Sequence, residues 1–209
     1  SGRTGARLWE FETGDSVTSS PALADLDGDG VPDCVVGSMD GMVYALSGRT
    51  GAGLWEFGRF DQVVSFDQFG SSPALADLDG DGVPDCVVGS CDKKVYALSG
   101  RTGARLWEFE TGGEVRSSPA LADLDGDGVP DCVVGSMDGM VYALSGRTGA
   151  RLWEFGRFDQ VVSFDQVWSS RALADLDGDG VPDCVVGSDD GKVYALSGRT
   201  GARLWEFET

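Results

Sequence analysis

Apolar and polar positions alternate along this chain in short bursts, and the same bursts return four times. In the first unit an alternating segment runs around Ser20–Leu26. Cys34–Gly37 follows, with Cys34 and Val36 facing one way and Val35 the other. Met42–Leu46 sets Val43 and Ala45 against Tyr44 and Leu46, and Leu54–Phe57 sets Trp55 and Phe57 against Glu56. A period of two over such short runs predicts strands with two distinct faces. The breaks are glycine-rich. Asp40-Gly41 reads as a tight hairpin because both residues tolerate positive φ, and Ser47–Gly51 makes the next turn. No 3.6-residue period survives across these runs, so no helix is predicted.

Four antiparallel strands in each unit of about 50 residues is the arithmetic of a β-propeller blade. The expected fold is therefore all-β, a propeller of four-stranded antiparallel blades, four blades per chain. Leu-Trp-Glu-Phe begins at Leu8, Leu54, Leu106, Leu152 and Leu204, whereas the acidic loop described next occurs four times. Residues 1–13 recur unchanged as Ser197–Thr209. One domain over 1–209 follows, with 1–13 as an N-terminal copy of the fourth strand and approximate repeats at 14–57, 58–109, 110–155 and 156–209. Connectors alternate long and short, so the true period is a pair of blades, 98 residues from Asp25 to Asp123. A propeller removes its open edges by closing into a ring. Two chains closing an eight-bladed homodimer is the expectation, with a single four-bladed ring as the alternative.

Between the first and second strands stands Asp-Leu-Asp-Gly-Asp-Gly-Val-Pro-Asp. Counting Asp25 as position one, Asp27, Asp29, the Val31 carbonyl and Asp33 fall at positions three, five, seven and nine. That is the opening ligand order of an EF-hand loop, with Gly30 giving the sharp turn, but a strand follows where a helix would. The set recurs as Asp77, Asp79, Asp81, Val83 and Asp85; as Asp123, Asp125, Asp127, Val129 and Asp131; and as Asp175, Asp177, Asp179, Val181 and Asp183. Crowded carboxylates repel one another, and a hard cation with oxygen ligands relieves that. About four Ca²⁺ per chain are expected in a structural role, because every ligand sits in one loop and no general base accompanies it. The bland alternative is an acidic turn without an ion.

This loop followed by Cys-Val-Val-Gly-Ser resembles the FG-GAP repeats of integrin-α-type propellers. Val43–Gly51 through Leu54–Phe57 resembles the repeat of quinoprotein (PQQ-type) propellers. That second resemblance implies that Trp9, Trp55, Trp107, Trp153 and Trp205 dock one blade on the next. The first implies calcium in the acidic loops and an extracellular setting. Neither brings an active site, since quinoprotein cofactor pockets are built from insertions that these uniform repeats lack.

The net charge of −19 disfavours nucleic acid and anionic membranes as partners, and four Ca²⁺ would bring it to −11. No apolar run approaches the roughly 18 residues of a membrane helix, and no secretory leader is visible. There is no histidine, which argues against zinc. Cys34, Cys86, Cys132 and Cys184 occupy equivalent places and read as small core residues; Cys91 is extra and is expected to be exposed. Lys93 stands where the first unit has Gly41, which should strain that hairpin. The acidic loops and the Ser-Gly-Arg-Thr-Gly turns should share one face of the propeller. The long connectors lie opposite, with Phe60, Val63, Val64, Phe66 and Phe69 and their counterparts Phe158, Val161, Val162, Phe164 and Trp168. These either fold down as an added layer or form a surface for a ligand or subunit. The expected function is a calcium-stabilised repeat scaffold without catalysis, natural or engineered, in an extracellular or periplasmic setting. The alternative is a module that binds glycan or protein through the connector face. Near-identity of the units points to recent amplification, a consensus design or an excised fragment.

Overall fold

The structure, a computed structural model, describes residues 3–58, 68–156, 172–188 and 190–208. Its first sheet contains β1 (Ala22–Ala24), β2 (Asp33–Gly37), β3 (Met42–Leu46) and β4 (Gly53–Gly58). The second contains β5 (Ala74–Ala76), β6 (Asp85–Gly89), β7 (Lys94–Leu98) and β8 (Arg105–Glu110). The third contains β9 (Ala120–Ala122), β10 (Asp131–Gly135), β11 (Met140–Leu144) and β12 (Arg151–Gly156). The fourth contains β13 (Ala172–Ala174), β14 (Asp183–Ser188), β15 (Lys192–Leu196) and β16 (Arg203–Glu208). Each sheet is an antiparallel meander in chain order, so the four sheets form a four-bladed propeller-like arrangement.

The first strand of a blade is shorter than its sequence pattern because side chains take over the ladder at both ends. The Ser19 hydroxyl donates to the Gly37 carbonyl at 2.9 Å and accepts from the Gly37 N–H at 3.0 Å. At the other end the Leu26 N–H donates to Asp33 rather than to a strand. The fourth strand is a residue longer at each end than its apolar core. It carries a bulge that brings Leu46 opposite Gly53, repeated in every blade.

Register fixes the two faces. Val35 pairs with Ala45, Ala45 with Trp55 and Val43 with Phe57, so these five side chains share one face. That face packs on Cys86, Val88, Tyr96 and Leu98 of the next blade. The seam repeats between the second and third blades and between the third and fourth. Each seam is locked by a tryptophan. The indole N–H groups of Trp55, Trp107 and Trp153 each donate at 2.6 Å to the carbonyls of Gly100, Gly146 and Gly198, in the β3–β4 type turn of the following blade. The rings lie flat against a second turn glycine: a Cβ on Gly103 would sit 2.8 Å from Trp55, so only glycine fits there. Phe57 adds a tilted ring contact with Tyr96 at 5.2 Å, and Phe109–Tyr142 and Phe155–Tyr194 repeat it at 5.5 Å. Innermost strands meet in sequence, β1 with β5, β5 with β9 and β9 with β13. Among the described residues β13 has no comparable contact with β1.

Cys86, Cys132 and Cys184 are buried core residues, as their place in the repeat implies, and Cys34 is half-buried. Cys91 is a correction: it is only 6% exposed, because its backbone N–H is tied to the Gln68 carbonyl and draws the connector over it. Lys93 has φ +72°, where Gly41 has +83°, so the lysine is forced into the left-handed region. Phe69 is buried against Phe57 and Tyr96, as an added packing layer requires. The other apolar connector residues named above lie outside the described residues.

Candidate metal centres

Each acidic loop is built by its own backbone. The Asp25 carboxylate accepts the N–H groups of Gly28 and Gly30 at 2.8 and 2.9 Å; Asp27 accepts that of Asp29 at 3.0 Å, and Asp29 that of Val31 at 2.8 Å. Gly28 and Gly30 take φ +79° and +80°, and these two left-handed residues let nine residues turn through a hairpin. The same bonds recur in the loops beginning at Asp77, Asp123 and Asp175.

The ninth-position carboxylate has a different setting. Asp33 is fully buried. One of its oxygens accepts Leu26 N–H at 2.8 Å and Asp27 N–H at 3.3 Å, and the other accepts Gly48 N–H at 2.9 Å. It thereby ties the end of the first strand and the third-to-fourth turn to the start of the second. Asp85, Asp131 and Asp183 make the corresponding bonds. Gly48 has to be glycine, because a Cβ there would lie 1.8 Å from the Pro32 carbonyl oxygen. Burial pushes the carboxyls of Asp85 and Asp131 above the ordinary range, against the opposing pull of the N–H groups they accept.

One partner of the loop escaped the sequence reading. The Arg49 side chain reaches across from the third-to-fourth turn and donates from Nε to Asp29 at 2.6 Å, and from its terminal nitrogen to the Asp29 carbonyl at 3.2 Å. Arg101–Asp81, Arg147–Asp127 and Arg199–Asp179 repeat the pair at 2.9, 3.0 and 3.1 Å. The arginine hydrogen bond, then that of the Val31 or Val83 N–H, holds Asp29 and Asp81 below the usual carboxylate range. For Asp127 and Asp179 the Val129 and Val181 N–H groups come first and the arginine second. These bonds put the turns and the acidic loops on one face, as the meander requires. The signal was present: every Asp loop is followed by Ser-Gly-Arg-Thr-Gly at a fixed distance.

Carboxylate oxygens converge in all four loops. In two blades the atoms lying within 4.8 Å of one another belong to Asp25, Asp27 and Asp29, and to Asp123, Asp125 and Asp127. In the other two they belong to Asp77, Asp79 and Asp85, and to Asp175, Asp177 and Asp183. Each blade therefore carries one all-oxygen cluster that can hold a Ca²⁺ ion, four in the chain, and this donor set suits a hard cation. Asp81, Asp179, Asp33 and Asp131 stand outside those groupings, and the four valines contribute backbone N–H groups to the loops.

A family profile described as outer membrane protein assembly factor BamB matches residues 1–154 and again 39–209. No curated protein sequence matches. Among solved structures, BamB from Moraxella catarrhalis superposes with a TM-score of 0.71 at 20% identity, over 96% of this chain and 56% of that one. Quinohemoprotein alcohol dehydrogenase from Comamonas testosteroni gives 0.74 at 17% identity, over 99% and 39%. The computationally designed Ika4 protein gives 0.65 at 19% identity, over 93% and 99%. These likenesses concern the fold. This chain spans little more than half the length of the BamB structure. The integrin-type resemblance rests on the acidic loops and the Cys-Val-Val-Gly-Ser that follows them, and these matches do not support it.

Proposed function

The chain belongs to the family described as outer membrane protein assembly factor BamB, and we propose that it is a calcium-stabilised binding scaffold that engages protein partners and catalyses no reaction. The observation that carries this is the absorption of its reactive residues into structure. The acidic loops spend their oxygens on backbone and arginine, and three of the four equivalent cysteines are buried in seams. The family's description as an assembly factor supports protein partners, and a propeller supplies surface for them. Calcium in the loops, with ligands at positions one, three, five, seven and nine, adds two positive charges beside each group of four carboxylates. It thereby stabilises the hairpin that Asp33 and its equivalents anchor. An extracellular or periplasmic site accords with such surface loops, since modules of this kind saturate where calcium is at roughly 10⁻⁴–10⁻³ M. Chelation with EGTA should lower the melting temperature, and titration should return it with close to four ions bound per chain. A melting curve indifferent to EGTA would sink the calcium reading.

We also infer that two copies close one eight-bladed ring. The support is the state of the fourth blade: it leaves Trp205 46% exposed, whereas Trp107 and Trp153 are 7% and 8% exposed. A second copy supplies the next blade at that face. Light scattering across a concentration series tests this directly, and a single-chain mass throughout would refute it.

A further inference from the structure

Residues 3–13 repeat the sequence of an outermost blade strand, yet they belong to no sheet. They nonetheless lie on the first blade as one blade lies on the next. Trp9 donates its indole N–H to the Gly48 carbonyl at 2.9 Å, the bond that Trp55, Trp107 and Trp153 make at the internal seams. Its ring covers Gly51 as theirs cover Gly103, Gly149 and Gly201. Phe11 meets Tyr44 at 5.3 Å and 59°, matching Phe57 on Tyr96 at 5.2 Å and 60°.

The imitation is incomplete. Leu8 is 73% exposed, while its equivalents Leu54 and Leu152 pack into seams. A cavity of about 370 Å³ remains beside Leu8, lined in part by Leu23, Pro32 and Cys34. Among the described residues no sheet backs the segment, and none fills the places of Val35, Val43 and Leu26 behind it. At the far end of the chain those same places are uncovered. Leu176 is exposed and Val185 and Val193 are half-buried, although their equivalents in the other three blades are buried, and Trp205 and Phe207 project beside them.

We infer that residues 3–13 are an internal stand-in for a neighbouring blade, and that β16 of a second copy displaces them from the first blade. This rests on the two-chain ring. The fourth blade of that copy presents Trp205 and Phe207 in the places of Trp9 and Phe11. It adds Leu176, Val185 and Val193, which the stand-in lacks. The joint so formed is the one the chain already contains three times. Until it forms, the segment shields Tyr44, Leu46 and Val36 from water. Its occupancy reduces the fraction of chains competent to pair, and so weakens the measured dimer affinity by that fraction.

Trp9→Ala and Trp205→Ala in the full chain separate the roles. The dimer dissociation constant, from analytical ultracentrifugation with circular dichroism as the check on folding, should fall about tenfold for Trp9→Ala as the competitor is lost, and rise at least as much for Trp205→Ala. A synthetic peptide of the sequence Ser1–Thr13, added to the unmodified chain, should shift it toward single chains, and a Trp9→Ala peptide should not. If the unmodified chain dimerises but Trp9→Ala weakens or leaves unchanged that association, and the peptide is inert, the stand-in is overturned while the ring survives. If the unmodified chain and Trp9→Ala both keep a single-chain mass at every concentration, the two-chain ring itself has failed.

Discussion

At the scale of the residue, the acidic loop is a set of charges with two competing partners. Arg49 and its three equivalents sit on the fifth-position carboxylate, where one positive charge offsets four negative ones. Exposed pairs of this kind contribute little to stability, but their charge remains beside the cluster that would take a doubly charged ion. Replacing all four arginines with glutamine should tighten calcium about threefold or more at each loop, since repulsion between guanidinium and ion is removed. The same change should lower the melting temperature in EGTA, where the carboxylates lose their counterion. Calorimetric titration and paired melts read both signs. A purely structural arginine would weaken calcium along with the fold. The ninth-position aspartate was legible only by half. Its spacing announced a ligand, but spacing could not show that three backbone N–H groups converge on a fully buried carboxylate. That depends on the turn folding back from fifteen residues further along.

At the scale of the element, alternation was enough to locate the strands and their faces, because period two is kept within each run and glycine-containing turns separate them. Where the first strand stops short of its pattern, a side chain has replaced a ladder bond, as Ser19 does on Gly37. Such substitutions leave no periodic trace. The hairpin between second and third strands shows what sequence reading could weigh in advance. Lys93 occupies a left-handed position held by glycine in equivalent turns, so Lys93→Gly should stabilise the chain by about 1 kcal/mol in denaturant unfolding. In the first hairpin Tyr44 donates its hydroxyl to Asp40 at 2.8 Å. Burial first, and that carboxylate second, push its pKa up from 10.0 to about 12. The folded chain keeps this proton more firmly than the unfolded chain. Its contribution is therefore whole below pH 10.0 and disappears as the pH rises through about 12. Alkaline unfolding should set in across that window, and Tyr44→Phe should flatten the early part of the slope. Tyr142, against Asp138, is raised for the same reasons.

At the scale of the whole molecule, stability is distributed along seams rather than gathered in one centre. Trp107 is buried in the second seam and spans two blades, so Trp107→Ala should cost about 3–5 kcal/mol in equilibrium unfolding. Trp205, with an uncovered ring, should cost a single chain far less. The repetition of one motif made the blades readable. How they close was not, because sequence identity between residues 1–13 and 197–209 says that two segments are equivalent without saying which of them holds a given place. Contacts decide that, and the exposure of Leu8 beside the half-buried Leu54 is where the two diverge. The tryptophan-to-glycine joint has a genetic corollary. A gene of near-identical units recombines with itself easily, and each crossover between equivalent points adds or removes whole blades. Every such product inherits joints of a kind already tested, so the lineage can vary in length without inventing an interface.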